Sequence, residues 1–596
     1  MKPYWADDKV YKLYHEYLER CVLEDDSFLS DEKAIITLNS LDDCINRFVV
    51  NAIEGKDSFE NKIFKQFEGA SYETLLTFAH VNWLWCMAPS DFSKWFKMNV
   101  AKNILGENLK AALREDIYPD GGFGDAGPSI KFRKPKEIAF LLLLMKELKL
   151  KVKEGKVESI EDANLLVESM SMEALFNWDE ETSEIVSDEV WKHIPEGKLA
   201  MYNIMMHLAN PDQHEPIASD GHKKRVRYAF RAFIEESDEK VKELNPEKQL
   251  YFIRQKLSEL TGKENFTFYD EEFRKIWNYT LNEEGFSEIQ GLQYKKAIIL
   301  YGPPGTSKTH SAKRLSKALI TDHYLSKPAN VKSYFEQEID VTETRIHRLQ
   351  LHNNYTYEDF VAGFQLVANE TKVVKGKLFE ISKAAREDDL PHVLILDEIN
   401  RVDISRLFGE VFSAIEDREQ DIELSIGGLS LSIPKNLYII GTMNEIDFSL
   451  EQIDFALRRR FLWFYYGFKE DVLRNMIWSK NNPENLDTKL KADEVNQYVQ
   501  NCSALNDQLK ELPELGPQYE IGHTFFSEVV DIFSSYKSIH GYSKQLSKQI
   551  FREGGAIDII WSISIEPIIE AFLGNLDKDS KKDIIKELKE IFKKSE

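Results

Sequence analysis

The sequence predicts an α/β domain in its second half, a parallel sheet with flanking helices, preceded by a mainly α-helical N-terminal domain. Three observations predict it. Over residues 1–265, long stretches such as 136–153 and 223–260 place apolar residues at three- and four-residue spacing, the period of helices that bury one face. From 291 onward, short apolar runs alternate with helical patterns, as a parallel sheet with crossover helices requires. Three of those runs, in KAIILYG (296–302), HVLILDE (392–398) and NLYIIGTMN (436–444), end in glycine, acidic or amide residues. Ligands of open parallel sheets bind at the C-terminal ends of the strands.

Length and composition set the frame. A chain of 596 residues exceeds one core, and about 150 residues per domain suggests roughly three to four. An apolar content of 42% and a charged content of 30% fit a globular protein in water. The net charge is −24 and both halves are acidic, so neither half has the overall charge of a free-standing nucleic-acid-binding module. Any contact with DNA must use a local basic patch. Cys21, Cys44, Cys86 and Cys502 are far apart and form no C-x-x-C pair, which points to a reduced, cytoplasmic setting without disulfides or zinc. The N-terminus lacks the apolar run of a signal peptide. The longest apolar run, IAFLLLLM (138–145), is too short to span a bilayer, so no membrane association is expected.

Within the N-terminal half, the aromatic segment 78–96 reads as core. The loop YPDGGFGDAGPS (118–129) leads into a basic cluster, Lys131, Arg133, Lys134 and Lys136. Four charges are a weak phosphate footprint, and a solvated helix start is favoured. Asp212, His214, Glu215 and His222 match no metal-ligand spacing.

The chemistry begins with GPPGTSKTH (302–310), a near match to G-x-x-x-x-G-K-[ST]. Gly302, Pro303, Pro304, Gly305, Thr306, Ser307, Lys308 and Thr309 would form a loop whose backbone N–H groups converge on phosphate oxygens. Lys308 would meet the β- and γ-phosphates, and the Thr309 hydroxyl would ligate Mg²⁺. The helix that follows aims its positive end at the same phosphates. Its apolar positions Ala312, Leu315 and Leu319 face the sheet. Ser307 stands where the pattern has glycine; positive φ there costs a serine about 1 kcal/mol or more. At the end of the second run, Asp397 would hold Mg²⁺ and Glu398 would polarise the attacking water. Asn444, at the exit of the third, would orient that water or the γ-phosphate. Arg458, Arg459 and Arg460 follow that strand, and an arginine placed there suggests a charge donor across a subunit boundary.

Taken together, GPPGTSKT, LDEINR (396–401) followed by LFGEVFSAIEDR, and YIIGTMNEIDFSLEQIDFALRRRF (438–461) resemble the AAA+ NTPases, and within them the McrB family. The likeness covers about residues 290–575. LHNNYTYEDFVAGF (351–364) and IGHTFF (521–526) fit it too, and ELSIGGLSLSI (423–433) reads as a β-hairpin around Gly427 and Gly428. The resemblance implies a P-loop AAA+ domain that binds GTP or ATP with Mg²⁺, hydrolyses it, and assembles as a homo-oligomer, a hexamer. It further implies a DNA-translocating motor of anti-phage restriction that drives a separate McrC-like nuclease. Phe448 replaces the arginine of a family signature linked to GTP. MoxR-like and MCM-like branches often carry alanine or serine before the loop lysine, which Ser307 matches. The organisation expected is a helical recognition or partner domain over 1–265, a linker over 266–290, the nucleotide-binding domain over 291–466, and a helical lid with C-terminal helices over 467–596. His523 would lie near the nucleotide or serve structure alone. Lys372, Lys375 and Lys377 would line a pore or face solvent. The alternatives are a MoxR-like remodelling ATPase with a protein client and a nucleotide-binding scaffold that hydrolyses poorly.

Overall fold

Unbroken apolar runs become the central strands of a sheet. The computed structural model describes residues 8–33, 35–53, 59–89, 92–106, 112–119, 122–123, 130, 133–171, 175, 199–277, 287–337, 340–367, 370–446, 455–480, 490, 492–513, 515–516, 518–540, 550–574 and 576–594. Among these residues nine strands follow in chain order: β1 (Ala297–Gly302), β2 (Ile346–Gln350), β3 (Ala362–Val367), β4 (Glu370–Lys375), β5 (His392–Asp397), β6 (Ile422–Glu423), β7 (Ser430–Leu431), β8 (Leu437–Asn444) and β9 (Leu462–Tyr465). Five of them form one sheet in the order β2-β5-β8-β1-β9, every pair parallel. Strand β5 is buried at every position, whereas the edge strands β2 and β9 are only partly covered. That is the signature of a sheet packed on both faces. Ile298, Ile299, Leu394, Ile395, Ile439 and Ile440 are fully buried. Each contributes about 1.5–3 kcal/mol relative to exposure, so one charge at Ile395 would break the sheet centre.

Register then places the chemistry. Gly302 lies opposite Asn444, and Leu396 opposite Gly441, so Asp397 and Thr442 follow side by side on neighbouring strands. Two short hairpins stand apart from the sheet. The predicted turn joins β6 and β7, with Gly427 and Gly428 at φ +64° and +61°, the left-handed pair that a tight hairpin needs. Strands β3 and β4 form the other, antiparallel, and leave Phe364 and Leu366 exposed. Lys372 lies on this hairpin near Glu370, at 3.5 Å. Lys375 sits over the Phe379 ring, and Lys377 opens the next helix, paired with Glu380 at 2.8 Å. The three lysines are therefore carried by a strand and a helix start.

The chain divides into two units: Met1–Glu283 with Leu325–Glu338, and Glu284–Tyr324 with Ile339–Glu596. This moves the expected boundary. Much of the 266–290 stretch belongs to the first unit because its aromatics are core residues: Phe266, Phe268, Phe273, Ile276 and Trp277 are buried. Phe273 packs on Phe335 of the helix Pro328–Gln337, ring centroids 5.0 Å apart, which draws that later segment into the same unit.

The first unit is built of helices around Tyr72–Met87, where every residue except Glu73 is buried. A helix apolar on all sides belongs in a core, and Ser71 caps it by accepting from the Thr74 N–H at 3.1 Å. Trp83 and Trp85 are buried as the aromatic density predicts, while Trp95 stands 75% exposed. Of the basic cluster, Lys134 lies over the Phe59 and Trp85 rings, and Lys131 lies outside the described residues. The polar residues at 212–222 serve packing. Glu215 pairs with Arg254, His214 with Glu168 at 2.9 Å, and His222 with the Tyr269 hydroxyl at 3.0 Å. No described helix is long and apolar enough to cross a membrane.

Candidate functional site

The loop from Gly302 to Thr309 bends through three left-handed positions: Gly302 at φ +143°, Gly305 at +76° and Ser307 at +66°. Glycine is required at 302, because a Cβ there would lie 2.4 Å from the Tyr466 carbonyl oxygen. Ser307 has no such freedom and adopts the strained conformation. The helix Lys308–Leu325 starts at the next residue, and the Ser311 N–H closes its first turn onto the Ser307 carbonyl at 2.9 Å.

Lys308 is 6% exposed. Its ammonium donates to the Gly302 carbonyl at 3.0 Å and the Thr306 hydroxyl at 3.3 Å, and also to the Pro303 carbonyl. Burial brings its pKa down to about 8, against the pull of Glu398 and Glu445. Desolvation penalises the charged amine more than two carboxylates at a distance support it.

At the end of β5, Asp397 is almost wholly buried. Its Oδ1 accepts from the Thr309 hydroxyl at 3.1 Å and the Thr442 hydroxyl at 2.8 Å. The Arg348 guanidinium, from β2, binds Oδ2. Because Thr309 spends its proton on Asp397, its oxygen lone pairs are left for a cation. A carboxylate and a hydroxyl so placed fit Mg²⁺, which takes few protein ligands and shares the rest with phosphate and water.

Glu398 follows at φ +57°. Among the described residues five non-glycines have positive φ, and two of them are Ser307 and Glu398; strain of about 1–3 kcal/mol per residue collects at functional sites. The Asn444 amide donates to Glu398 Oε1 at 2.8 Å, and Arg401 stands 3.7 Å from Oε2. Asn400 in turn donates to the Asn444 carbonyl at 2.8 Å. The carboxylate is thereby aimed, with a neighbour suited to metal.

The three arginines separate. Arg458 is exposed, its guanidinium 5.4 Å from the Trp463 ring centroid. Arg459 is 70% exposed and reaches Glu416 at 3.0 Å. Arg460, 12% exposed, packs over Phe412 and meets the same glutamate at 3.5 Å.

The segment IGHTFF lies directly on the phosphate loop. Both the N–H and hydroxyl of Thr524 donate to the Gly305 carbonyl at 3.0 Å, and a Cβ on Gly522 would strike the Gly305 backbone at 2.2 Å. His523 itself accepts from the Lys469 N–H at 2.7 Å and stacks on Phe468. Burial lowers its pKa to about 4, which favours the neutral ring. Phe448 lies outside the described residues.

Sequence reasoning missed Arg348, Thr442 and Glu445. Thr442 could have been found from strand register, since it precedes Asn444 by two. Glu445 follows Asn444, donates its N–H to the Gly302 carbonyl at 3.1 Å, and is pushed up by burial although Lys308 and Arg458 oppose this. Nothing in the sequence signals Arg348.

A phosphate-binding loop, an acidic pair and an amide on adjacent parallel strands define an AAA+ domain of the P-loop NTPase class. Residues 297–461 match the family described as AAA domain, dynein-related subfamily. The chain is McrB-like: it is 32% identical over 250 residues to the McrB subunit of the type IV methyl-directed restriction enzyme EcoKMcrB of Escherichia coli K12, over 40% of this chain and 49% of the relative. It is also 21% identical over 326 residues to YdiS, a component of the type II restriction enzyme BsuMI of Bacillus subtilis 168, over 46% of this chain and 85% of that one. The chain thus spans about half the length of the McrB subunit it matches.

Proposed function

We propose that this protein is a ring-forming NTPase motor, hexameric and cytoplasmic, that hydrolyses GTP or ATP and drives restriction of foreign DNA. The observation that carries it is the pairing of Asp397 with Thr309 beside a Glu398 aimed by Asn444. Mg²⁺, held by Thr309 and Asp397, would neutralise charge on the β- and γ-phosphates. The loop 302–309 binds the phosphates, with Lys308 as the charged contact. Glu398 accepts the proton of the attacking water, and Asn444 fixes its direction. Arg459, exposed on its own subunit, reaches a neighbour's nucleotide, with Arg458 beside it.

Both restriction components among the relatives support the wider reading: translocation along DNA and activation of a separate, McrC-like nuclease subunit. One observation favours a second reading. The exposed Phe364 and Leu366 on the β3–β4 hairpin suit a protein client and a MoxR-like remodelling role. The test is nucleotide turnover of wild type and Glu398→Gln, with and without DNA. Turnover that needs Glu398 and rises with DNA supports the motor. Equal rates in the two proteins remove the mechanism, and a response to protein clients but not to DNA favours remodelling.

A further inference from the structure

We infer that Arg348 and the divalent cation compete for Asp397, so that Arg348 sets how tightly the site holds metal. The inference rests on the nucleotide-hydrolysing reading of the same site and adds a positioning residue to it. Arg348 sits on β2, the edge strand, where it pairs in register with Ile395, two residues before the carboxylate. Its guanidinium binds Asp397 Oδ2, while Oδ1 is engaged by Thr309 and Thr442. The acid side chain is 3% exposed and the arginine 42%.

That asymmetry gives the contact its consequence. A charge pair with one buried partner is weakly screened, so Arg348 neutralises Asp397 effectively. The half-exposed guanidinium has room to swing into solvent, whereas the carboxylate is fixed by two hydroxyls. A cation approaching Thr309 and Asp397 meets a positive group already on the acid. Metal binding must displace Arg348 or be weakened by it. Only metal delivered with the counter-charge of nucleotide phosphates overcomes this competition. Arg348 thus favours the metal–nucleotide complex over metal alone.

The test is Mn²⁺ binding to the full-length protein by electron paramagnetic resonance, with a non-hydrolysable GTP or ATP analogue and without one. Arg348→Gln removes the charge and Arg348→Lys keeps it. The expected result is tighter Mn²⁺ binding by Arg348→Gln, about tenfold from removing one like charge beside a buried carboxylate, and most evident without nucleotide. Arg348→Lys should remain near wild type. Unchanged or weaker Mn²⁺ binding by Arg348→Gln, in a protein whose thermal unfolding matches Arg348→Lys, overturns the competition. If Arg348→Gln does not fold, Arg348→Lys decides: Mn²⁺ binding tenfold away from wild type in either direction counts against the inference. Wild type that binds neither analogue nor Mn²⁺ would sink the hydrolytic reading as well; wild type that binds both, with no Arg348 effect, sinks this inference alone.

Discussion

Asn444 donates its side-chain amide to Glu398 across the ends of β8 and β5, at 2.8 Å. The bond ties the direction of one carboxylate to the register of two strands. On the other carboxylate oxygen, Arg401 stands at 3.7 Å, too long for a hydrogen bond that would fix its direction. Asn444→Ala should lower single-turnover hydrolysis by roughly 10²-fold, within the range of a mispositioned general base, with analogue binding little changed. Asn444→Asp should do more harm, because it sets two carboxylates against each other. Full hydrolysis in Asn444→Ala would remove the orienting role.

Ser307 supplies a prediction on stability. At φ +66° a side chain costs about 1 kcal/mol relative to glycine. Ser307→Gly should raise the thermal midpoint of the nucleotide-free protein, and Ser307→Val should lower it, because a branched Cβ is worse still in that region. Equal midpoints for the valine and serine proteins would show that the backbone relaxes out of this conformation.

Lys308 predicts a pH dependence. Its pKa of about 8 in the folded chain lies below the ordinary 10.5. Between those values the unfolded chain binds the proton and the folded chain does not, so the group's contribution to stability rises with pH across that window. Triphosphate binding needs the charged amine, so affinity should fall above pH 8, by up to about tenfold per unit. Titration calorimetry in buffers of different ionisation enthalpy should register proton uptake near pH 8.5. Lys308→Arg should bind with affinity flat over pH 7–9.5, and a matching fall in that variant would point to another group.

The arginines divide by burial. Arg460→Ala should lower the thermal midpoint, since it strips a cation from Phe412 and Glu416. Arg459→Ala should leave the midpoint unchanged and reduce turnover. Mixed with Glu398→Gln subunits, Arg459→Ala should regain part of the activity, because some interfaces then combine a wild-type Glu398 with a wild-type Arg459. No recovery at any mixing ratio would place Arg459 outside the neighbouring site.

Much of this site was legible because it is local. GPPGTSKT and LDEINR each lie on one strand end, and period and motif coincide there. What was hidden is what requires strand neighbours. Arg348 is 49 residues from Asp397, and only the β2–β5 pairing joins them. The φ of Ser307 was undecidable from residue type, since serine is tolerated on either side of zero at different cost. Residues 266–290 read as a linker because acidic, polar flanks surround Phe273 and Trp277, although the aromatics themselves are buried. The N-terminal helices offered periodicity but no chemistry.

The return of Leu325–Glu338 to the first unit bears on how this protein can be cut. No single scission yields two self-sufficient halves. A fragment beginning at residue 284 would carry the helix Pro328–Gln337 with Phe335 stripped of Phe273, its stacking neighbour, and would present that apolar surface to water. The complementary fragment ending at 283 would leave a matching gap. Dissection therefore calls for an internal splice, in which a short polar connector replaces 325–338 in the AAA+ half. The excised helix would be fused behind residue 283 in the other.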